Sequence, residues 1–131
     1  MSEMIKPGNY RIGNVMYSQR YVCMSGNKEF VGHDVGEIIR VDVIDEVEHL
    51  ATLFDTATNL YIGIDMMKSN VVGLEKPQVL QLSSIDGEKF EIHAQDVDDV
   101  WLLKDNGNWS WIRVEAAPAT DNKYWKFEKV E

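Results

Sequence analysis

Three aromatic residues set the frame of this chain. Tyr21, Tyr61 and Trp101 stand 40 residues apart, twice in succession, and each opens a short apolar run: Tyr21-Val22-Cys23-Met24, Tyr61-Ile62-Gly63-Ile64 and Trp101-Leu102-Leu103-Lys104. A second set lies upstream in the same phase, Tyr10-Arg11-Ile12, Ala51-Thr52-Leu53 and Phe90-Glu91-Ile92. A third lies downstream: Ile39-Arg40-Val41, Leu80-Gln81-Leu82 and Trp125-Lys126-Phe127. Apolar residues at alternate positions are the pattern of a half-buried strand. Pro7-Gly8-Asn9, Ser25-Gly26-Asn27, Asp86-Gly87 and Asp105-Asn106-Gly107-Asn108 punctuate the runs as turns. Helical periodicity is weak, and its best stretch, 43–53, reads equally well as the junction between two repeats.

Three such repeats give roughly twelve short strands. One repeat is too small to bury its own apolar face, so the copies must share a core. Closing them about a pseudo-threefold axis removes most exposed strand edges. The predicted architecture is therefore all-β, a single β-trefoil domain over residues 1–131. An open solenoid would need polar capping repeats, and neither end of the chain differs in that way. The phase predicts that Tyr21, Tyr61 and Trp101 are equivalent about the axis, as are Val22, Ile62 and Leu102.

With 131 residues, 44% of them hydrophobic, the chain can fill one core. Its formal net charge of −9 opposes phosphate backbones and anionic lipid, which argues against nucleic acid and membranes as partners. The lone cysteine, Cys23, has no intrachain partner. The opening residues carry no basic segment followed by an apolar one, and no apolar run approaches the ~20 residues of a membrane span. The expectation is a reduced, cytoplasmic, soluble protein.

Catalytic signals are absent. His33 precedes Asp34, and His93 lies three residues before Asp96, but neither pair comes with a nucleophile in a recognisable elbow. No Cys or His spacing fits zinc, and Gly26, Gly32 and Gly36 form no phosphate loop. The expectation is a non-enzyme without cofactor or metal. Cys23, at a strand position occupied by Gly63 and Leu103 in the other repeats, reads as a packed small hydrophobe or as a reactive thiol. Asp96-Val97-Asp98-Asp99 reads as a solvated turn or a cation site without the Gly and distal Glu of a calcium loop.

The opening Pro7-Gly8-Asn9-Tyr10-Arg11-Ile12-Gly13-Asn14-Val15 resembles the first strand of fungal β-trefoil proteins, and Tyr124-Trp125-Lys126-Phe127-Glu128-Lys129-Val130 resembles their last. Within that group the chain is most similar to the mushroom protease inhibitors: the cospin-type serine protease inhibitors and the mycocypins clitocypin and macrocypin. The resemblance implies inhibition by a loop inserted into a target protease, first of all a trypsin-like one. Cospin-type inhibitors present a basic residue between the second and third strands. By position that residue is Lys28, flanked by Gly26, Asn27 and Glu29. A long cation suits a pocket with a buried Asp, and flanking strands lower the ordering cost. Lys28 also reads as an ordinary solvated turn lysine. The same phase gives Asp65-Met66-Met67-Lys68-Ser69-Asn70 and Asp105-Asn106-Gly107-Asn108 in the other repeats. Mycocypins imply other loops, 15–20 and 33–37 for papain-like proteases and Asn59 for legumain-like ones.

The ricin-type trefoil lectins are the sister resemblance. Their Gln-x-Trp motif is missing: the corresponding segments are Ile39-Arg40-Val41, Leu80-Gln81-Leu82 and Lys123-Tyr124-Trp125. A carbohydrate-binding defence lectin is the alternative function. Its candidate site is Asp105, Asn106, Asn108, Trp109 and Trp111, since sugars stack C–H groups on aromatic faces and bond planar polar groups. Trp109 and Trp111 alternate and so predict one shared strand face, unless one of them packs into the core.

Overall fold

A computed structural model describes residues 4–130. Twelve strands follow in order: β1 Gly8–Asn14, β2 Tyr21–Met24, β3 Phe30–His33, β4 Ile39–Asp45, β5 Leu50–Asp55, β6 Leu60–Asp65, β7 Asn70–Leu74, β8 Leu80–Ser83, β9 Glu91–Ala94, β10 Val100–Leu103, β11 Ser110–Glu115 and β12 Trp125–Lys129. The one helical element among the described residues is a 3-10 turn, Asp121–Lys123. Val43–Leu53, the weak helical candidate, is the β4–β5 hairpin instead. Val41, Val43, Ala51 and Leu53 sit on paired strands there, and the apolar spacing serves a pleated face rather than a helical one.

Register makes the threefold repeat explicit. Tyr10 pairs with Ile39, Ala51 with Leu80 and Phe90 with Trp125, once per repeat. Ile39 also faces Asp55, Leu80 faces Ala94 and Trp125 faces Asn14, which closes β1, β4, β5, β8, β9 and β12 into a barrel. The remaining strands form the hairpins β2–β3, β6–β7 and β10–β11. These join one another through Trp111 and Val31, Arg113 and Asn70, and Glu29 and Val72. Phe30, Val71 and Ile112, one from each hairpin, are buried at equivalent places. This is the β-trefoil.

The phase in the third repeat differs from the sequence expectation by one residue. Tyr21 pairs with Gly13 and His33, Tyr61 with Phe54 and Leu74, and Val100 with His93 and Glu115. Val100 is therefore the equivalent of Tyr21 and Tyr61, and Trp101 joins Val22 and Ile62 as a fully buried core residue. Leu102, not Leu103, corresponds to Cys23 and Gly63. The repeats are unequal in length. The β4–β5 connection carries a bulge between Val43 and Asp45, whereas β8–β9 runs in unbroken register from Leu80 to Ser83. An aromatic core residue then falls by coincidence on the spacing of two half-exposed tyrosines.

Three successive hairpins share one turn chemistry. Asp45 Oδ1 accepts the N–H groups of Val47 and Glu48, Asp55 Oδ1 that of Ala57, and Asp65 Oδ1 those of Met67 and Lys68. Each turn ends on a left-handed residue, His49, Asn59 and Ser69. A carboxylate that bonds the backbone two residues on fixes such a turn, and the short polar residue tolerates positive φ.

Cys23 is buried. Burial, followed by the nearby Glu37 carboxyl 3.7 Å from its Sγ, pushes the thiol up to about 11. The thiolate is thus suppressed, as a packing role requires. Cys23→Ala should cost about 1–2 kcal/mol and Cys23→Val less, read from urea midpoints at constant slope.

Candidate functional site

The β10–β11 hairpin crosses β3, with Ser110 opposite Gly32 and Trp111 opposite Val31. Just before β11 the strand alternation breaks. Trp109 takes φ 71° and donates its backbone N–H to Gly32 O at 2.9 Å. This conformation carries the indole onto the His33 ring, with centroids 4.4 Å apart and planes at 48°. Trp109 remains 55% exposed and Trp111 39%, so neither packs into the core. The shared strand face predicted for them does not hold, because Trp109 lies outside β11. Trp111 packs instead with Arg113, whose Cζ lies 5.5 Å from the ring centre.

Two further segments complete the wall. Asn108 Oδ1 accepts the Asp34 N–H at 3.1 Å, which ties the hairpin to the loop after β3. His33 Nδ1 lies 3.0 Å from the Val35 N–H and 3.1 Å from Asp34 Oδ1, which seats the ring against the loop after β3. Arg20 Nε donates to Asn106 O at 2.8 Å, and Tyr17 hydroxyl to Lys104 O at 3.4 Å. Segments 15–20, 33–37 and 105–111, rivals on the sequence, thus meet at one place.

Asp105 anchors the hairpin loop. Its Oδ1 accepts from the Ser110 hydroxyl and, at 2.8 Å, from the Gly107 N–H. These bonds, Ser110 first, hold its carboxyl below the usual carboxylate range. The result is an ionised carboxylate in the same loop as an exposed indole, a loop fastened at Asn106, Asn108 and Trp109. Such a surface suits a polar, non-ionic ligand with a C–H face.

The loop carrying Lys28 is differently built. Ser25 N–H donates to Glu29 O at 2.7 Å and Lys28 N–H to Ser25 O at 3.2 Å, closing a tight turn with Lys28 at φ 61°. Gly26, Asn27 and Lys28 are exposed. Glu29 is not available as a protease contact: it is only 7% exposed, and its Oε2 accepts from Asn70 Nδ2 at 3.3 Å and lies 4.0 Å from Lys68 Nζ. A buried carboxylate needs these partners, which turns Glu29 inward. Asn59 closes the β5–β6 turn at φ 59°. His93 is engaged with the Ser83 hydroxyl at 2.9 Å and Val97 O at 2.8 Å, a structural role. Among the described residues no group of three or more His, Cys, Asp or Glu is placed to hold a metal, and no helix is long and apolar enough to cross a membrane.

Solved structures of this shape include known lectins. No protein-family model matches the chain, and no curated protein is similar to it in sequence. Among solved structures, the ricin B-like lectin of Macrolepiota procera in complex with lactose superposes with a TM-score of 0.83 at 15% identity, over 97% of this chain and 99% of that one. The Rhizoctonia solani agglutinin gives 0.82 at 23% identity, over 96% and 97%. The Polyporus squamosus lectin bound to Neu5Acα2-6Galβ1-4GlcNAc gives 0.77 at 13% identity, over 96% of this chain and 50% of that one. The chain has the fold of these β-trefoil lectins. None of these three structures is a protease inhibitor of the cospin or mycocypin type.

The sequence singles out Trp109 and Asp105 for a glycan and the segments 15–20 and 33–37 for a protease, but not that His33 lies on Trp109 or that Arg20 bonds Asn106 O. No spacing rule joins residues so far apart in the chain; only the β3–β11 pairing does.

Proposed function

We propose that this chain is a carbohydrate-binding protein whose site is the Trp109–His33 face, with Asp105, Asn106 and Asn108 beside it. The observation that carries the proposal is Trp109 itself. Its φ of 71° is the turn conformation that His49, Asn59 and Ser69 also take four residues after an Asp, so the conformation itself calls for no ligand. What is particular to Trp109 is a large indole left exposed at that place and stacked on the His33 ring. Folding gains little from this indole, because it is left 55% exposed. Ligand stacking accounts for it: the ring is preorganised by His33, and the loop is fixed by the Asn108, Arg20 and Ser110 bonds. The lectin structures of the same fold support this class. A glycan array, followed by calorimetry on the hits, tests it; absence of any hit would end the proposal.

Lys28 favours a second reading. Its side chain is exposed at a hairpin tip, and no carboxylate among the described residues pairs with it. If it fills the pocket of a trypsin-like protease, Lys28→Ala should raise the inhibition constant by roughly 30-fold or more, since an unpaired buried charge costs about 2 kcal/mol upward. Lys68→Ala should do far less, because Lys68 leans toward Glu29. Equal inhibition by wild type and Lys28→Ala retires Lys28.

A further inference from the structure

The pseudo-threefold axis provides an internal comparison. Asn14, Asp55 and Ala94 end the first barrel strand of each repeat at equivalent positions, facing Trp125, Ile39 and Leu80. Across from them, the loop entering the fourth strand is fastened to the second strand by a side chain. Gln78 Oε1 accepts the Ile64 N–H at 2.7 Å, and Asn122 Nδ2 donates to Leu103 O at 2.9 Å. In the first repeat the fastening residue is Glu37, which bonds the Met24 backbone. Met24, Ile64 and Leu103 are equivalent, each paired with a buried residue of its hairpin, Phe30, Val71 and Ile112.

The chemistry of the three copies differs. Asn14 Nδ2 donates to Asn122 O at 3.0 Å, a neutral contact. Ala94 offers Gln78 nothing. Asp55 is fully buried and sets its carboxyl against that of Glu37. Two carboxylates cannot bond each other without a proton between them. Glu37 Oε2 is buried and has no N–H or O–H donor among the described residues. The other groups facing the pair are neutral: the Cys23 thiol on β2, the Met24 backbone, and on the β5–β6 turn the Thr58 hydroxyl at 2.7 Å and the Ala57 N–H. No cation faces it.

Resting on the glycan site proposed above, we infer that Glu37 and Asp55 share one proton and so latch the 33–37 loop, and that loss of this proton frees the loop and loosens the His33 wall of the Trp109 site. The loop is short. Asp34 is held by Asn108, Gly36 lies against Tyr21, whose Cβ an added side chain would meet at 2.6 Å, and Glu37 N–H donates to Val22 O at 3.2 Å. Repulsion at its far end therefore reaches Asp34 with little slack. Burial first, and then Asp55, pushes Glu37 up to about 8. The sign follows. From about 4.5 to about 8 the native state keeps a proton that the unfolded chain has released, so this contribution to stability is full at low pH and is lost as pH rises to about 8.

The experiment follows amide signals of Asp34, Asn108 and Trp109 by NMR from pH 7 to 9.5 without ligand, in wild type, Glu37→Gln and Asp55→Asn. Glutamine mimics the protonated acid, and asparagine restores what Asn14 provides. The expected result is a shift with a midpoint near 8 in wild type only, with Asn122 signals still. Signals that stay fixed in wild type, or that move alike in both variants, overturn the latch. Lactose titration at pH 6.5 and 9 then reads the consequence: affinity should fall several-fold in wild type and hold in Glu37→Gln. If lactose binds equally at both pH values while the amides shift, the link from latch to site is wrong. If lactose binds at neither, the glycan reading fails for that sugar and the amide result still decides the latch.

Discussion

Trp109→Ala should lose glycan binding while leaving the fold intact. A sugar ring covering on the order of 80 Å² of indole, at about 25 cal/mol per Å², contributes about 2 kcal/mol, or about 30-fold in affinity. Stability should fall only slightly, because the residue is 55% exposed, and alanine keeps the Cβ and with it the cost of φ 71°. Trp109→Gly sharpens the contrast. Glycine adopts positive φ freely, so this variant should melt at or above the wild-type Tm while binding nothing. Calorimetric titration with an array hit, beside thermal melts, reads both effects. Retained binding in either variant, or a large drop in Tm, would mean that Trp109 is a structural residue.

Trp125→Ala should have the largest effect on stability. The residue is fully buried, its ring stands edge-on to Trp101 at 6.4 Å, and its Nε1 donates to Trp101 O at 3.1 Å. Its backbone also bonds Phe90 in both directions, which joins the last strand to the third repeat. Truncation leaves a cavity and an orphaned carbonyl, at about 3–5 kcal/mol. Against a total of about 5–15 kcal/mol, this removes a fifth or more of the stability and lowers Tm by roughly 10–20 °C. Trp111→Ala, by contrast, deletes a half-exposed ring packed on Arg113 and should cost under about 1 kcal/mol. Melts of the two variants side by side check the difference. Comparable losses would mean that the core does not centre on Trp101 and Trp125.

Much of the architecture could be read from alternation alone. Tyr10-Arg11-Ile12, Ala51-Thr52-Leu53 and Phe90-Glu91-Ile92 each lie where the sheet needs them, because a period of two commits a short segment to one buried face wherever it sits. The Asp45, Asp55 and Asp65 turns, ten residues apart, came only with the structure: the carboxylate acts on its own backbone, but the 43–53 stretch carries apolar spacing that also fits a helix. Equivalence was less secure. The Tyr21, Tyr61 and Trp101 spacing placed the third repeat one residue out, because loops of unequal length shift the count without disturbing the strands.

The candidate site needed the tertiary structure. Trp109 and Asp105 carry their residue types openly, but that Trp109 leaves its strand to lie on His33 depends on β11 pairing with β3. Glu37 and Asp55 look like two ordinary surface acids in the sequence. Only barrel closure buries Asp55 and brings the Glu37 carboxyl against it. Local chemistry determines strands and turns, whereas a charge becomes costly and an aromatic ring becomes a platform only through neighbours that the chain brings from a distance.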